Sequence, residues 1–177
     1  MELSVAVLPA PAPIGSLTVG VTDEGLALVA FGDEPARARR AAERLDLAVV
    51  EDRPGAGRSA AAVTQLAEYL AGARRTFDVP LDWRLTHAGA QRRVLHALHD
   101  TVRFGAVVTY GELAVRGRLD SPRGVGTIMG SNPIPVVVPC HRVLAADGLG
   151  GFGGGRATKE WLLALEGVLT PTLDFGL

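Results

Sequence analysis

Three short apolar and β-branched runs, at residues 2–8, 16–21 and 26–31, crowd into the start of the chain. Pro/Gly-rich and Asp-Glu-Gly punctuation separates them, the pattern of strands joined by turns. This spacing constrains the fold most, because a sheet must form early and later segments must cover it. Residues 35–47 (PARARRAAERLDL) have helical composition, and Pro35 suits a first helical turn. Residues 47–51 read as a further short strand and 51–59 as a loop. Ser59 reads as a helix N-cap. After it Val63, Leu66, Ala67 and Leu70 mark one helical face. Residues 77–83 read as extended. The first half is thus a small α/β unit with few chemical groups.

The second half changes character. Residues 89–103 are helical, with Val94, Leu95, Leu98 and Val102 as the apolar face. Residues 110–117 and 121–130 read as two short helices, which fits a helix-turn-helix whose later helix enters a DNA groove. The run Val136-Val137-Val138 reads as a buried strand leading to Cys140. A Gly-rich stretch at 148–155 and a last helix at 156–166 complete the pattern. Charge changes with the pattern. Residues 1–88 hold 9 basic and 12 acidic side chains, a balance of −3, whereas residues 89–159 hold 9 basic against 4 acidic, a balance of +5. Such polarisation lets one face meet an anion while the whole chain stays near neutral.

Composition excludes several classes. With 47% hydrophobic and 21% charged residues the chain is of the ordinary globular kind, and with only 5% aromatics its core rests on Ala, Val and Leu. No run of about 18 apolar residues suggests a membrane helix. The N-terminal stretch has no basic region before its apolar residues, which argues against a secretory signal, and a lone thiol suits a reducing cytoplasm. A single cysteine excludes an internal disulfide framework and a multi-thiolate zinc site.

That cysteine is followed directly by His141 and Arg142, so neighbouring cations are expected to lower its pKa and favour thiolate. The competing reading is an inert buried thiol. Neighbours on a strand point to opposite faces, so base catalysis by His141 needs a bend, a short helical turn or a bridging water. His96 and His99 stand three apart but lack a third metal ligand. Residues 148–153 satisfy G-x-G-x-x-G, yet they lead into a single helix and not a βαβ unit, so a tight loop is the better reading.

With Pro139-Cys140-His141-Arg142-Val143 the chain resembles the O6-alkylguanine-DNA alkyltransferases, also called methylated-DNA–protein-cysteine methyltransferases. Further matching segments are 105–114 (GAVVTYGELA), 123–126 (RGVG), 132–135 (NPIP), 153–155 and 159–167 (KEWLLALEG), all in the family's order. Residues 12–19 resemble its usual opening. The resemblance implies an RNase H-like sheet-and-helix domain over 1–84 and a mainly helical domain with a helix-turn-helix over 85–177. It implies that Cys140 accepts the alkyl group, that His141 takes the thiol proton through a water, and that Glu166 holds His141. Tyr110 would donate a proton to the departing guanine, and Asn132 would brace the active-site turn. Arg123 would enter the base stack, with Thr127 also on the DNA. Val143, Gly151, Phe152 and Gly153 would form the base pocket. The partner would be double-stranded DNA carrying O6-alkylguanine, with O4-alkylthymine as a further substrate. The protein would act once, as a monomer, without cofactor, metal or membrane. Departures are Phe152 where Tyr is common, Gly153 where a small polar residue or Ala is common, Leu95 for Trp, and Gly124 for Ala. A non-catalytic damage binder, a helix-turn-helix regulator and a multiple-turnover thiol hydrolase are the competing classes.

Overall fold

The computed structural model describes residues 1–53 and 55–170. The early runs form β1 (Glu2–Pro9), β2 (Ser16–Val21) and β3 (Leu26–Phe31), joined antiparallel in succession. Helix α1 (Pro35–Leu45) then crosses over, and β4 (Ala48–Glu51) returns parallel to β1, giving the order β3-β2-β1-β4. Pro35 stands in the first turn of α1, where its missing N–H costs nothing, and Asp46 ends the helix in the left-handed region at φ 54°.

Both faces of the sheet are covered, which is why its strands read as nearly continuous apolar runs. Ala38, Ala41 and Ala42 of α1 pack on Leu3, Val5 and Leu28. The small side chains let the helix lie close to the strands. Helix α2 (Ala60–Leu70) presses Val63, Leu66 and Tyr69 into a larger core that also takes in the C-terminal helices.

Two N-terminal expectations hold only in part. Ser59 does stand at the N-cap of α2, but with helical φ/ψ and no capping bond from its side chain; its hydroxyl and its N–H both donate to Asp52, at 2.9 and 3.0 Å. A carboxylate is the stronger acceptor and claims the hydroxyl. Residues 77–83 are extended only in part. They make one bridge, Leu26 to Leu81, before Trp83–Leu85 tightens into a 3-10 turn. The buried Asp82 fixes this segment. It accepts from the Thr22 hydroxyl at 2.6 Å and from Arg84 at 2.6 Å, so side chains do what a ladder would otherwise do.

The second half is built on α3 (Ala90–Thr101), which buries Val94, Leu95 and Leu98. A two-residue strand, β5 (Val108–Thr109), leads into α4 (Tyr110–Arg116) and α5 (Pro122–Gly130). These helices form the helix-turn-helix. Gly117 must be glycine there, because a Cβ would lie 2.6 Å from a Val94 methyl. Arg93 of α3 donates to the Gly117 and Arg118 carbonyls at 2.9 and 3.1 Å and so holds the turn. The Ser121 hydroxyl accepts the Arg123 N–H at 3.2 Å, capping α5 one residue before Pro122. Strand β6 (Val143–Leu144) pairs with β5, and α6 (Arg156–Leu165) closes the described chain. No helix among the described residues is long and apolar enough to cross a membrane.

Candidate active site

The thiol sits where prolines break the chain. Pro133, Pro135 and Pro139 lack N–H donors, and the valine run between them is a set of turns rather than the expected strand. The Val138 N–H donates to the Ile134 carbonyl at 2.8 Å, and Val136 stands at φ 74°, a strained value for a β-branched residue. Asn132 closes the turn from inside. Its Oδ1 accepts the Ile134 N–H at 3.0 Å and its Nδ2 donates to the Val138 carbonyl at 2.9 Å. These local bonds satisfy backbone groups that a sheet ladder would have taken.

Cys140, His141 and Arg142 then form a single 3-10 turn. Successive side chains are about 120° apart there instead of pointing to opposite faces. The Val143–Leu144 strand beyond it pairs with Val108–Thr109, and this two-residue ladder sets Tyr110, the first residue of α4, beside the cysteine turn. Tyr110 is half-buried, with its hydroxyl 3.5 Å from the Gly151 carbonyl. Gly150 permits this approach, because a Cβ there would lie 2.8 Å from the hydroxyl. Burial raises the Tyr110 pKa, so the phenol keeps its proton at neutral pH.

His141 is fully buried and its Nε2 lies 2.9 Å from Glu166 Oε1, just past the end of α6. A carboxylate only accepts, so Nε2 carries the proton and Nδ1 is a bare acceptor. Among the described residues Nδ1 has no partner. Burial pushes the His141 pKa down, outweighing the Glu166 hydrogen bond, so the ring is neutral and able to take a proton. Burial also pushes Glu166 up, but hydrogen bonds from His141 and Arg142 prevail and hold its carboxyl at about 2. Arg142 donates to both Glu166 oxygens, at 2.7 and 2.9 Å, and to the Val102 carbonyl at 2.7 Å.

The thiol is not the low-pKa group that its cationic neighbours led us to expect. Burial pushes Cys140 up to about 11, only partly offset by hydrogen bonding from Asn132 and by the charge of Lys159. The expectation fails because Arg142 is committed to Glu166 and His141 is uncharged. Cys140 therefore rests as a thiol, and its thiolate must be made by proton loss to a base.

Cys140 opens on a cavity of about 210 Å³ lined by Asn132, Pro135, Met129, Phe152, Gly153 and Gly154 together with Phe31, Glu34 and Arg37 of the N-terminal half. Phe152 meets Phe31 edge to face, with ring centroids 5.5 Å apart. Of the expected pocket residues, Phe152 and Gly153 line this cavity, whereas Val143 and Gly151 do not. Their carbonyls accept instead from the Lys159 ammonium, at 2.7 and 3.2 Å. Arg123 and Thr127 are both exposed on α5, opposite its buried Val125 and Ile128.

Sequence reasoning missed Arg142 as a partner of Glu166, and it missed Lys159 and Tyr69 altogether. Lys159 is fully buried, and its place three and four residues before Leu162 and Leu163 put it on the buried face of α6. Tyr69 lies three residues after Leu66 on the buried face of α2. His96 has another use, stacking on Trp83 with centroids 4.0 Å apart. No cluster of metal-ligating side chains occurs among the described residues.

Two family models match the chain. The model described as 6-O-methylguanine DNA methyltransferase, ribonuclease-like domain, covers residues 10–83, and that described as the DNA binding domain covers 89–168. A methylated-DNA–protein-cysteine methyltransferase of Mycolicibacterium paratuberculosis is 49% identical over 60% of this chain and 64% of its own length. One from Mycobacterium bovis is 45% identical over 67% of this chain and 71% of its own, and one from Mus musculus is 50% identical over 45% and 39%. The chain thus matches less than two thirds of the first of these relatives. Among solved structures, the Mycobacterium tuberculosis O6-methylguanine methyltransferase superposes with a TM-score of 0.76 at 36% identity, covering 96% of both chains. The OGT of that organism in complex with DNA gives 0.73 at 36%, covering 94% of this chain and 92% of that one.

Proposed function

The chain belongs to the 6-O-methylguanine DNA methyltransferase family, and from that premise we propose that it repairs DNA by transferring the alkyl group of O6-alkylguanine irreversibly to Cys140. One observation carries this reading. Cys140 borders a cavity beside a helix-turn-helix and adjoins a buried neutral histidine held by a carboxylate. A regulator of transcription would have no use for that arrangement.

The steps come from the groups. Helix α5 enters a groove of the duplex with Arg123 and Thr127 outward. The damaged base lies inside the stack and must be flipped out, at a cost of a few kcal/mol, which Arg123 offsets by filling the gap. His141 Nδ1 takes the Cys140 proton through a bridging water, and the imidazolium is held by Glu166. The thiolate attacks the alkyl carbon in line with its bond to O6. The S–C bond forms, the C–O6 bond breaks, and its electron pair passes to the guanine. Tyr110, protonated at neutral pH, donates to the departing base. The thioether is stable, so each molecule acts once. The same displacement serves O4-alkylthymine. No step calls for a cofactor or a metal.

The boundary between residues 84 and 85 separates a unit that adds Phe31, Glu34 and Arg37 to the cavity wall from the unit that holds Cys140 and reads DNA. The protein acts as a monomer, and its single free thiol suits the reducing cytoplasm. Stoichiometry tests the reading. With duplex carrying O6-methylguanine in excess, repaired lesions should plateau at one per protein molecule. Continued turnover would identify a thiol hydrolase instead.

A further inference from the structure

The relay behind the cysteine does not belong to the C-terminal half alone. Tyr69, on α2 of the N-terminal half, is fully buried and donates its hydroxyl to Glu166 Oε1 at 2.8 Å. The same oxygen receives His141 Nε2 at 2.9 Å and Arg142 Nη2 at 2.7 Å, while Oε2 receives Arg142 Nε at 2.9 Å. Arg142 Nε also reaches Oε1, at 3.2 Å, so donors from three residues converge on one oxygen, more than its lone pairs serve, while Oε2, among the described residues, receives Arg142 Nε alone. The arginine fork is fully made, with Nη2 on Oε1 at 2.7 Å and Nε on Oε2 at 2.9 Å, and it fixes the plane of the carboxylate. The phenol is a further anchor on Oε1, the oxygen that faces His141 Nε2. Phe77 and Phe104 pack on the Tyr69 ring, with centroids at 5.4 and 6.3 Å, and fix it in place. Burial and the adjacent carboxylate keep Tyr69 protonated, so it is a permanent donor.

We propose that Tyr69 is a positioning residue for alkyl transfer, supplied by the N-terminal half, that holds the Glu166 carboxylate in register with His141. The inference rests on the proposed His141–Glu166 relay. It makes the two halves a single catalytic unit, beyond the wall that Phe31, Glu34 and Arg37 supply to the cavity.

The charged and titratable groups around His141 are Glu166, Arg142 and Lys159, with Cys140 as its chain neighbour. Tyr69 reaches His141 only through Glu166. Removing the phenol oxygen leaves more of the carboxylate charge facing the imidazole. The protonated ring is then better stabilised, and the acid limb of the rate profile moves to higher pH. The loosened carboxylate also no longer aims His141 Nδ1 at the thiol, and that loss of positioning slows transfer on the plateau.

The test uses the full chain with Tyr69→Phe, which keeps the packed ring. Single-turnover transfer at neutral pH should slow about ten-fold, the loss expected for one hydrogen bond to a charged group. Affinity for undamaged duplex should be unchanged, and the acid limb should shift upward. In a Glu166→Gln background the same substitution should add little. A parental rate and limb for Tyr69→Phe overturns the inference. So does an equal loss in both backgrounds, which marks general packing. If Glu166→Gln itself leaves the rate at the parental value, the relay reading fails along with it, so the two failures are distinguishable.

Discussion

Glu166 is where the structure commits most free energy to the relay, and Glu166→Gln removes its charge while keeping its shape. Lowering the carboxyl from 4.5 to about 2 in the folded state corresponds to about 3 kcal/mol of stabilisation at neutral pH, at ~1.4 kcal/mol per tenfold change in proton affinity. The loss of one partner from a buried ion pair gives a similar figure, about 3–5 kcal/mol, because Arg142 would stay buried with its charge uncompensated. In a domain of this size that lowers Tm by about 6–12 °C, at ~2–4 °C per kcal/mol. The pH dependence carries the sign. A depressed carboxyl stabilises above its unfolded value and loses that stabilisation as pH falls toward the folded one. The stability gap between parent and variant should therefore be full at neutrality and close from about pH 5 to about pH 2. Urea unfolding of both proteins across that range measures it. A gap below about 1 kcal/mol at neutral pH, or one that does not narrow in acid, would refute the assignment of Glu166 as a buried carboxylate held by Arg142 and His141.

Two further outcomes are expected. Arg123→Ala should chiefly slow repair of duplex substrate and matter much less for the free base O6-benzylguanine, which needs no flipping; equal loss on both would place the defect in the pocket, and weaker binding to all DNA with a salt slope reduced by about one would mark a phosphate contact instead. Gly154→Ala places a Cβ 2.8 Å from the rings of Phe31 and Phe152, neither of which is a flexible chain end, so the cavity wall must shift, at a cost of about 1–3 kcal/mol and with slower transfer; parental stability and rate in unfolding and single-turnover assays would contradict this.

The scaffold was largely legible from local pattern. The runs at 16–21 and 26–31 are β2 and β3 to the residue, and Pro35 and Ser121-Pro122 mark helix starts that the structure uses. Legibility ends where side chains replace backbone pairing. The valines at 136–138 have strand composition, but three prolines and the Asn132 amide turn them into a brace for the thiol. Asp52 and Asp82 redirect Ser59 and residues 80–84 in the same manner. The thiol's acidity was misread because adjacency in sequence says nothing about what a cation is already bonded to. Tyr69 meets Glu166 across 97 positions of chain, and no local period encodes such a contact.

The central claim is that Cys140 is the acceptor, and mapping the transferred group tests it most directly. Duplex carrying a radiolabelled O6-methylguanine is incubated with the full chain, and the digested protein is sequenced for label. The account predicts one methyl group per molecule, on the sulfur of Cys140, and no transfer to Cys140→Ser, which still binds DNA. Label on any other residue, or stoichiometric transfer by Cys140→Ser, would contradict it.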